Sequence, residues 1–211
     1  MTTDLATTVE RIGSDLARGA RASEGVERAA PLFRTVLRLL LRGEPVTLAA
    51  VAAAAGKDER DVAEAIDAFQ PVERDESGRI VGMGITLNST PHRFRVDGRD
   101  VYTWCALDTL VFPTLLGIRA EVESPCHETG TPVRVTVTPD GVTAVEPGSA
   151  VVSVVPIEHV RNIRTAFCDH VHFFRSAEAA TAWLAAHDGG RILPVREAFA
   201  LGRSFAAGLM A

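Results

Sequence analysis

Ser77-Gly78-Arg79-Ile80-Val81-Gly82-Met83-Gly84-Ile85-Thr86-Leu87-Asn88-Ser89-Thr90-Pro91-His92-Arg93-Phe94-Arg95-Val96-Asp97-Gly98 is the stretch at which the chain changes its periodicity. Ser77-Gly78 signals a turn, and the segments Ile80–Leu87 and His92–Val96 read as strands joined through Asn88-Ser89-Thr90-Pro91. Asp97-Gly98 signals a further turn. Upstream the pattern is helical over residues 1–70. Leu32, Phe33, Val36, Leu37, Leu40 and Leu41 recur at three- and four-residue spacing on one helix face, and Gly43 with Pro45 ends that helix. Thr47 is placed to cap a second helix through Ala55, stopped by Gly56. Asp58 is placed to cap a third, with Asp61 at its third position and Val62, Ala65, Ile66 and Phe69 as its apolar face. Three short helices followed by a hairpin is a winged-helix pattern.

From Ile118 onward, turn residues separate short β-rich runs at Arg119–Glu123, Val133–Thr138, Val142–Val145 and Ala150–Val155. Val133, Val135 and Val137 alternate with Arg134, Thr136 and Thr138, so one face of that strand is buried and the other wet. Ile157, Val160, Ile163 and Phe167 predict a helix, His170–Phe174 a strand, and Ser176–His187 and Val195–Met210 two further helices. The expected fold class is α+β. A helical, winged-helix-like N-terminal domain spans 1–97, and a second domain over 98–211 combines mixed or antiparallel sheet with flanking helices.

With 211 residues the chain can form one ordinary domain or two small ones. Its 46% hydrophobic and 23% charged residues exclude a disordered or fibrous class. A net charge of -5 gives no overall attraction to nucleic acid or an anionic membrane. The third helix, where a winged helix would read DNA, holds Asp58, Glu59, Asp61, Glu64 and Asp67 against Arg60 alone. Phosphate attraction needs the opposite sign, so the module reads as structural. Asp4 and Glu10 stand where a signal peptide would have a basic head and an apolar stretch. The most apolar window, Val46–Ala55, is too short for a membrane span. A cytoplasmic protein with no membrane and no nucleic-acid partner is expected. Three cysteines are too few and too odd for a disulfide scaffold, so free thiols are expected.

Two stretches carry chemistry. In Tyr102-Thr103-Trp104-Cys105-Ala106-Leu107-Asp108-Thr109-Leu110-Val111-Phe112-Pro113, a helix would put Cys105 and Asp108 on one face at i and i+3. A thiol beside a carboxyl group in apolar surroundings allows proton exchange, because burial favours the neutral acid. The plainer reading of the same residues is a buried cysteine with an aspartate at a helix end. In Phe167-Cys168-Asp169-His170-Val171-His172-Phe173-Phe174, a strand would point His170 and His172 to one side, with Cys168 if the strand reaches back to it. Hydrogen-bonded histidines at a sheet edge are the alternative. Cys126 sits in the turn-like Glu123-Ser124-Pro125-Cys126-His127-Glu128-Thr129-Gly130, and no cysteine pair has C-x-x-C spacing. From the residues alone, two other functions remain open. One is a thiol-based metal sensor using the winged-helix part; the other is a metal-binding protein using Cys105, Cys126, Cys168 and a histidine.

The run Trp104-Cys105-Ala106-Leu107-Asp108-Thr109-Leu110 with Phe112-Pro113 resembles the signature of the organomercurial (alkylmercury) lyases. Gly84-Ile85-Thr86-Leu87, Cys126 with Thr129-Gly130, Val145-Glu146-Pro147 and Phe167-Cys168 followed by His170-Val171-His172-Phe173-Phe174 resemble that family too. They follow its order and spacing from about residue 31 to the C-terminus, and as a set they are highly specific. The resemblance implies protonolysis of the carbon–mercury bond of alkyl- and arylmercury compounds, giving a hydrocarbon and Hg²⁺. It implies that Cys105 and Cys168 bind mercury, that Asp108 is the catalytic carboxylate beside that mercury, and that Cys126 is structural. Some members carry a further cysteine where this chain has Asp169. No cofactor is implied. A free small thiol would strip the Hg²⁺, or a mercuric reductase would receive it.

The chemistry suits these residues. Mercury is soft and thiolate is the softest side-chain ligand. A carboxylate can accept a thiol proton as mercury binds and return it to the carbon as the bond breaks. On this scheme Cys105 attacks first, Cys168 activates and Asp108 delivers the proton. Trp104, Phe112, Phe167 and Phe173 line a pocket for the organic group or belong to the core.

Overall fold

Capping chemistry starts the N-terminal helices where the sequence places it. The computed structural model describes residues 2–21, 26–69, 71–157 and 162–210. Its first four helices are α1 (Thr2–Arg21), α2 (Val26–Leu40), α3 (Leu48–Ala55) and α4 (Glu59–Ala68). The Thr47 hydroxyl accepts the Ala50 N–H at 3.1 Å, and the Asp58 carboxylate accepts the Arg60 N–H at 2.8 Å. Each satisfies a donor that the helix itself leaves free. Leu32, Val36, Leu37, Leu40, Val51, Val62 and Ile66 are buried in one core.

The eight strands of the main sheet are β1 (Glu73–Arg74), β2 (Ile80–Met83), β3 (Ile85–Thr86), β4 (His92–Val96), β5 (Arg99–Thr103), β6 (Ala120–Pro125), β7 (Pro132–Thr138) and β8 (Gly141–Glu146). They pair antiparallel in the order β1-β2-β3-β5-β4-β6-β7-β8. The single strand expected over Ile80–Leu87 is in fact two. Gly84, at φ +92°, reverses the chain so that Met83 pairs with Ile85 and Gly82 with Thr86. Only glycine suits this point, because a Cβ there would lie 2.8 Å from Phe112 Cζ. As a result β3 pairs with β5, and the expected partner β4 lies on the far side of β5. The sheet is continuous through the β4–β5 turn at Asp97-Gly98. In β7, Val133, Val135 and Val137 are buried, as their alternation requires.

A smaller antiparallel sheet has the order β10-β9-β11, from β9 (Val151–Val154), β10 (Phe173–Phe174) and β11 (Arg191–Pro194). Of the helix expected from Ile157 to Phe167, Val160 lies outside the described residues, and α6 (Ile163–Ala166) is a single turn. The Asn162 side chain starts it by accepting the N–H groups of Arg164 and Thr165. The strand expected over His170–Phe174 is also shorter. Cys168–His170 is a 3-10 turn, and Ser153 takes up the main chain of His172 through its hydroxyl and its own N–H. His170 and His172 therefore diverge: His172 stacks on His127 at 3.9 Å, while His170 Nδ1 lies 3.3 Å from His187 Nε2. Over Ser176–His187 a 3-10 turn (Glu178–Ala180) leads into α7 (Thr181–Ala186).

Helix α5 (Ala106–Leu116) packs between the sheet and the last helix, α8 (Val195–Met210). Helix α1 lies along α8, with Leu16, Ala17 and Ala20 buried. Gly208 permits the close approach, since a Cβ there would stand 2.7 Å from that of Ala17. Among the described residues no helix is long and apolar enough to cross a membrane.

Candidate active site

Strand β5 delivers the chain to the start of α5, where three hydrogen bonds fix its course. Trp104 N–H donates to Gly84 O at 2.9 Å, the Thr103 hydroxyl to Cys105 O at 2.9 Å, and Ala106 N–H to Val171 O at 3.1 Å. The last bond draws the 3-10 turn carrying Cys168 over the N-terminus of α5. Cys105 is the residue before the helix, with extended backbone (φ −145°, ψ 169°), and Asp108 lies in the first turn. The two side chains thus meet across a helix start and not along a continuous helical face, which is the geometry of an N-cap and its third residue. One ligand atom each from Cys105, Asp108 and Cys168 lie within 4.8 Å of one another.

The group is enclosed and short of partners. Cys105 has no exposed surface and Cys168 very little. Asp108 is half-buried, and its Oδ2 is sealed from solvent without a hydrogen-bond partner. Burial pushes the Asp108 carboxyl up to about 7, against the neighbouring Cys105 thiol and a hydrogen bond from the Cys105 backbone, which hold it down. Near neutral pH this acid can therefore both accept and return a proton. Burial also pushes the Cys105 thiol well up, as do its hydrogen bond to Cys168 and the Asp108 charge. For Cys168, the hydrogen bond from Cys105 is the strongest influence and lowers it. Burial and the Asp108 and Asp169 charges outweigh that bond, even with Arg164 assisting the thiolate, and the net shift is upward.

A largely apolar cavity of about 80 Å³ adjoins the group. Asp108 and Cys168 are on its wall, together with Trp104, Phe112 and Phe167. Phe33, Ala20 and Ala29 contribute from the N-terminal helices and Ala206 from α8. Phe173, the fourth aromatic weighed for this pocket, is core and packs near His92 at 6.2 Å. Cys126 stands apart from the cluster. Its N–H donates to Thr131 O at 2.7 Å, so the site combining all three cysteines with a histidine does not form among the described residues. Burial raises the Cys126 thiol, but hydrogen bonds from the Thr129 hydroxyl and the backbone of Arg175, Thr129 and Glu128 outweigh it and leave it lowered. Sequence reasoning missed Arg164, whose guanidinium carbon lies 5.3 Å over the Trp104 ring. No motif marks it, because the partner is sixty residues away.

Comparison with known proteins adds to this geometry. The family profile for alkylmercury lyase matches residues 85–207, and the profile for the helix-turn-helix domain of alkylmercury lyase matches residues 6–84. The alkylmercury lyase of Bacillus cereus is 48% identical over 197 residues, covering 93% of this chain and 90% of that protein. That of Streptomyces lividans is 52% identical over 179 residues, covering 85% and 83%. The crystal structure of the mercury-bound form of MerB2 aligns with a TM-score of 0.73 at 25% identity, over 98% of this chain and 99% of that one.

Proposed function

The chain belongs to the alkylmercury lyase family, and from that premise we infer that Cys105, Cys168 and Asp108 are the groups with which it cleaves the carbon–mercury bond. It is an organomercurial lyase, an enzyme that converts an organomercury compound to a hydrocarbon and Hg²⁺. The observation that carries the residue assignment is the sealed, unpartnered Asp108 Oδ2 held beside two thiols.

Substrate arrives as an organomercury group on a small thiolate. Cys168, on the cavity wall, exchanges with that thiolate: its sulfur bonds mercury, and its proton leaves on the displaced thiol. Cys105 then passes its proton to the Asp108 carboxylate and becomes the second sulfur on mercury. Two thiolates load electron density onto the soft metal and weaken its bond to carbon. Asp108, now the acid, protonates that carbon as the bond breaks, leaving the hydrocarbon, Hg²⁺ on two sulfurs, and a carboxylate again. This order reverses the one expected from sequence. It rests on Cys168 lining the cavity while Cys105 has no exposed surface.

No organic cofactor enters this scheme. A free small thiol in the cytoplasm removes Hg²⁺ by exchange, or a mercuric reductase takes it over directly. Residues 98–211 supply all three reacting groups and most of the cavity wall, which residues 1–97 complete with Phe33, Phe69 and Met83, and Cys126 holds its turn against the end of β10. Reduced protein incubated with phenylmercury and excess small thiol should release benzene catalytically, as followed by gas chromatography. Release should vanish in Cys105→Ala. Binding of mercury without benzene would refute the lyase and leave a binder or sensor.

A further inference from the structure

Glu73 in β1, more than thirty residues before the first reacting thiol, is tied to both segments that carry the sulfurs. Its Oε1 accepts Trp104 Nε1 at 3.1 Å and also accepts from the Arg164 guanidinium. Its Oε2 accepts from the Thr86 hydroxyl and from Asn88 Nδ2 at 3.1 Å. The side chain is only 14% exposed, so this carboxylate is enclosed and saturated with donors. The strand beneath it is shaped to fit, since a Cβ on Gly82 would stand 2.8 Å from both the Glu73 carboxyl carbon and the Thr86 hydroxyl. Trp104 immediately precedes Cys105 and lines the cavity; Arg164 is four residues before Cys168 and lies over the Trp104 ring. Arg164 also reaches Asp169, the residue after Cys168, at 3.8 Å.

We propose that Glu73 is a positioning residue of the reaction: by gripping Trp104 and Arg164 together it sets the approach of the Cys105 and Cys168 segments and shapes the cavity mouth beside them. The inference rests on the lyase reading given above. Glu73 touches no reacting atom, and its effect passes through the two side chains it holds. A carboxylate is required for this because it can accept four donors while neutralising the guanidinium, whereas an amide would keep acceptance at one atom and lose the ion pair.

The test compares Glu73→Gln and Glu73→Ala with the parent in a Trp183→Phe background. Trp104 is then the one indole left, since the sequence has two tryptophans. Phenylmercury turnover, Hg²⁺ binding and Trp104 emission are measured on protein whose folding is checked by circular dichroism. Misplacing reacting groups is costly, so kcat should fall about tenfold or more in Glu73→Ala and less in Glu73→Gln. Each variant should still bind one Hg²⁺ per chain, and Trp104 emission should shift as Arg164 leaves its ring. Folded variants within about twofold of the parent in kcat, or with unchanged emission, would overturn the positioning role. A melting point lowered with kcat per folded molecule intact would make Glu73 a structural clip and equally overturn it. A parent protein that binds Hg²⁺ but releases no benzene would instead refute the lyase reading on which the role depends.

Discussion

Replacing Asp108 by Asn should stabilise the protein, and by an amount that depends on pH in a defined direction. The carboxyl goes from an ordinary 3.8 to about 7 on folding, because burial disfavours its charge. Between those values the folded state binds more protons than the unfolded one, so wild-type stability falls as pH rises. Above about pH 7 both states are ionised, and the whole penalty is present. Below about pH 4 both are protonated and it is gone. At about 1.4 kcal/mol per pH unit, the span corresponds to on the order of 4 kcal/mol. Protein interiors screen charge more strongly than a dry medium, which reduces this, and roughly half is the expected gain at pH 8. For a chain of this size that is a rise of about 4–8 °C in melting temperature. Urea denaturation of both proteins from pH 4 to pH 8 measures the difference directly. A gain growing up to about pH 7 and then flat supports the account; a pH-independent difference, or a less stable variant at pH 8, refutes it. The same substitution should retain Hg²⁺ binding while abolishing hydrocarbon release, so stability and turnover would move in opposite directions.

Three further outcomes follow from the site. Cys168→Ala should lose the first transfer of mercury from small thiols, whereas Cys105→Ala should still take up the organomercury group one to one and hold it uncleaved. Mass spectrometry of the unreduced adducts distinguishes them. Gly84→Ala should destabilise by about 1–3 kcal/mol in urea denaturation, since φ is +92° and the new methyl meets the Phe112 ring. Ala206→Leu narrows the cavity at α8, so kcat/KM for phenylmercury should fall about tenfold relative to methylmercury, measured by competitive turnover.

What was legible in the sequence was what short-range physics decides. Thr47, Gly56 and Asp58 mark helix ends because the groups they satisfy are two to four residues away. Alternation in β7 shows through because one face must be dry. The residues proposed to react were legible through their family signature, and the structure brings Cys105 and Asp108 together at a helix start instead of along the helical face expected of them. Gly84 was hidden, since a glycine within an apolar run reads as strand until Phe112 is known to press on it. The Cys168 turn was hidden too, because Ser153 holds the main chain of His172, nineteen residues away, where the strand would otherwise extend. Glu73 and Arg164 lie ninety-one positions apart, and no local pattern records that they meet.

The way the eight-stranded sheet ends bears on the protein's behaviour at high concentration. Exposed strand edges are templates on which a neighbouring chain can add its own strand and begin aggregation. Here β1 is only two residues long and pairs with β2 through an irregular register. At the other edge, α8 packs on β8 and Arg196 donates to the Val142 carbonyl, occupying an acceptor that an incoming strand would need. The pairing of each edge strand is also broken by an irregular register, so neither margin is a regular ladder for an incoming strand. Concentrated or refolding protein should remain dispersed while the last helix is seated, and a chain whose α8 has come away should clump through β8.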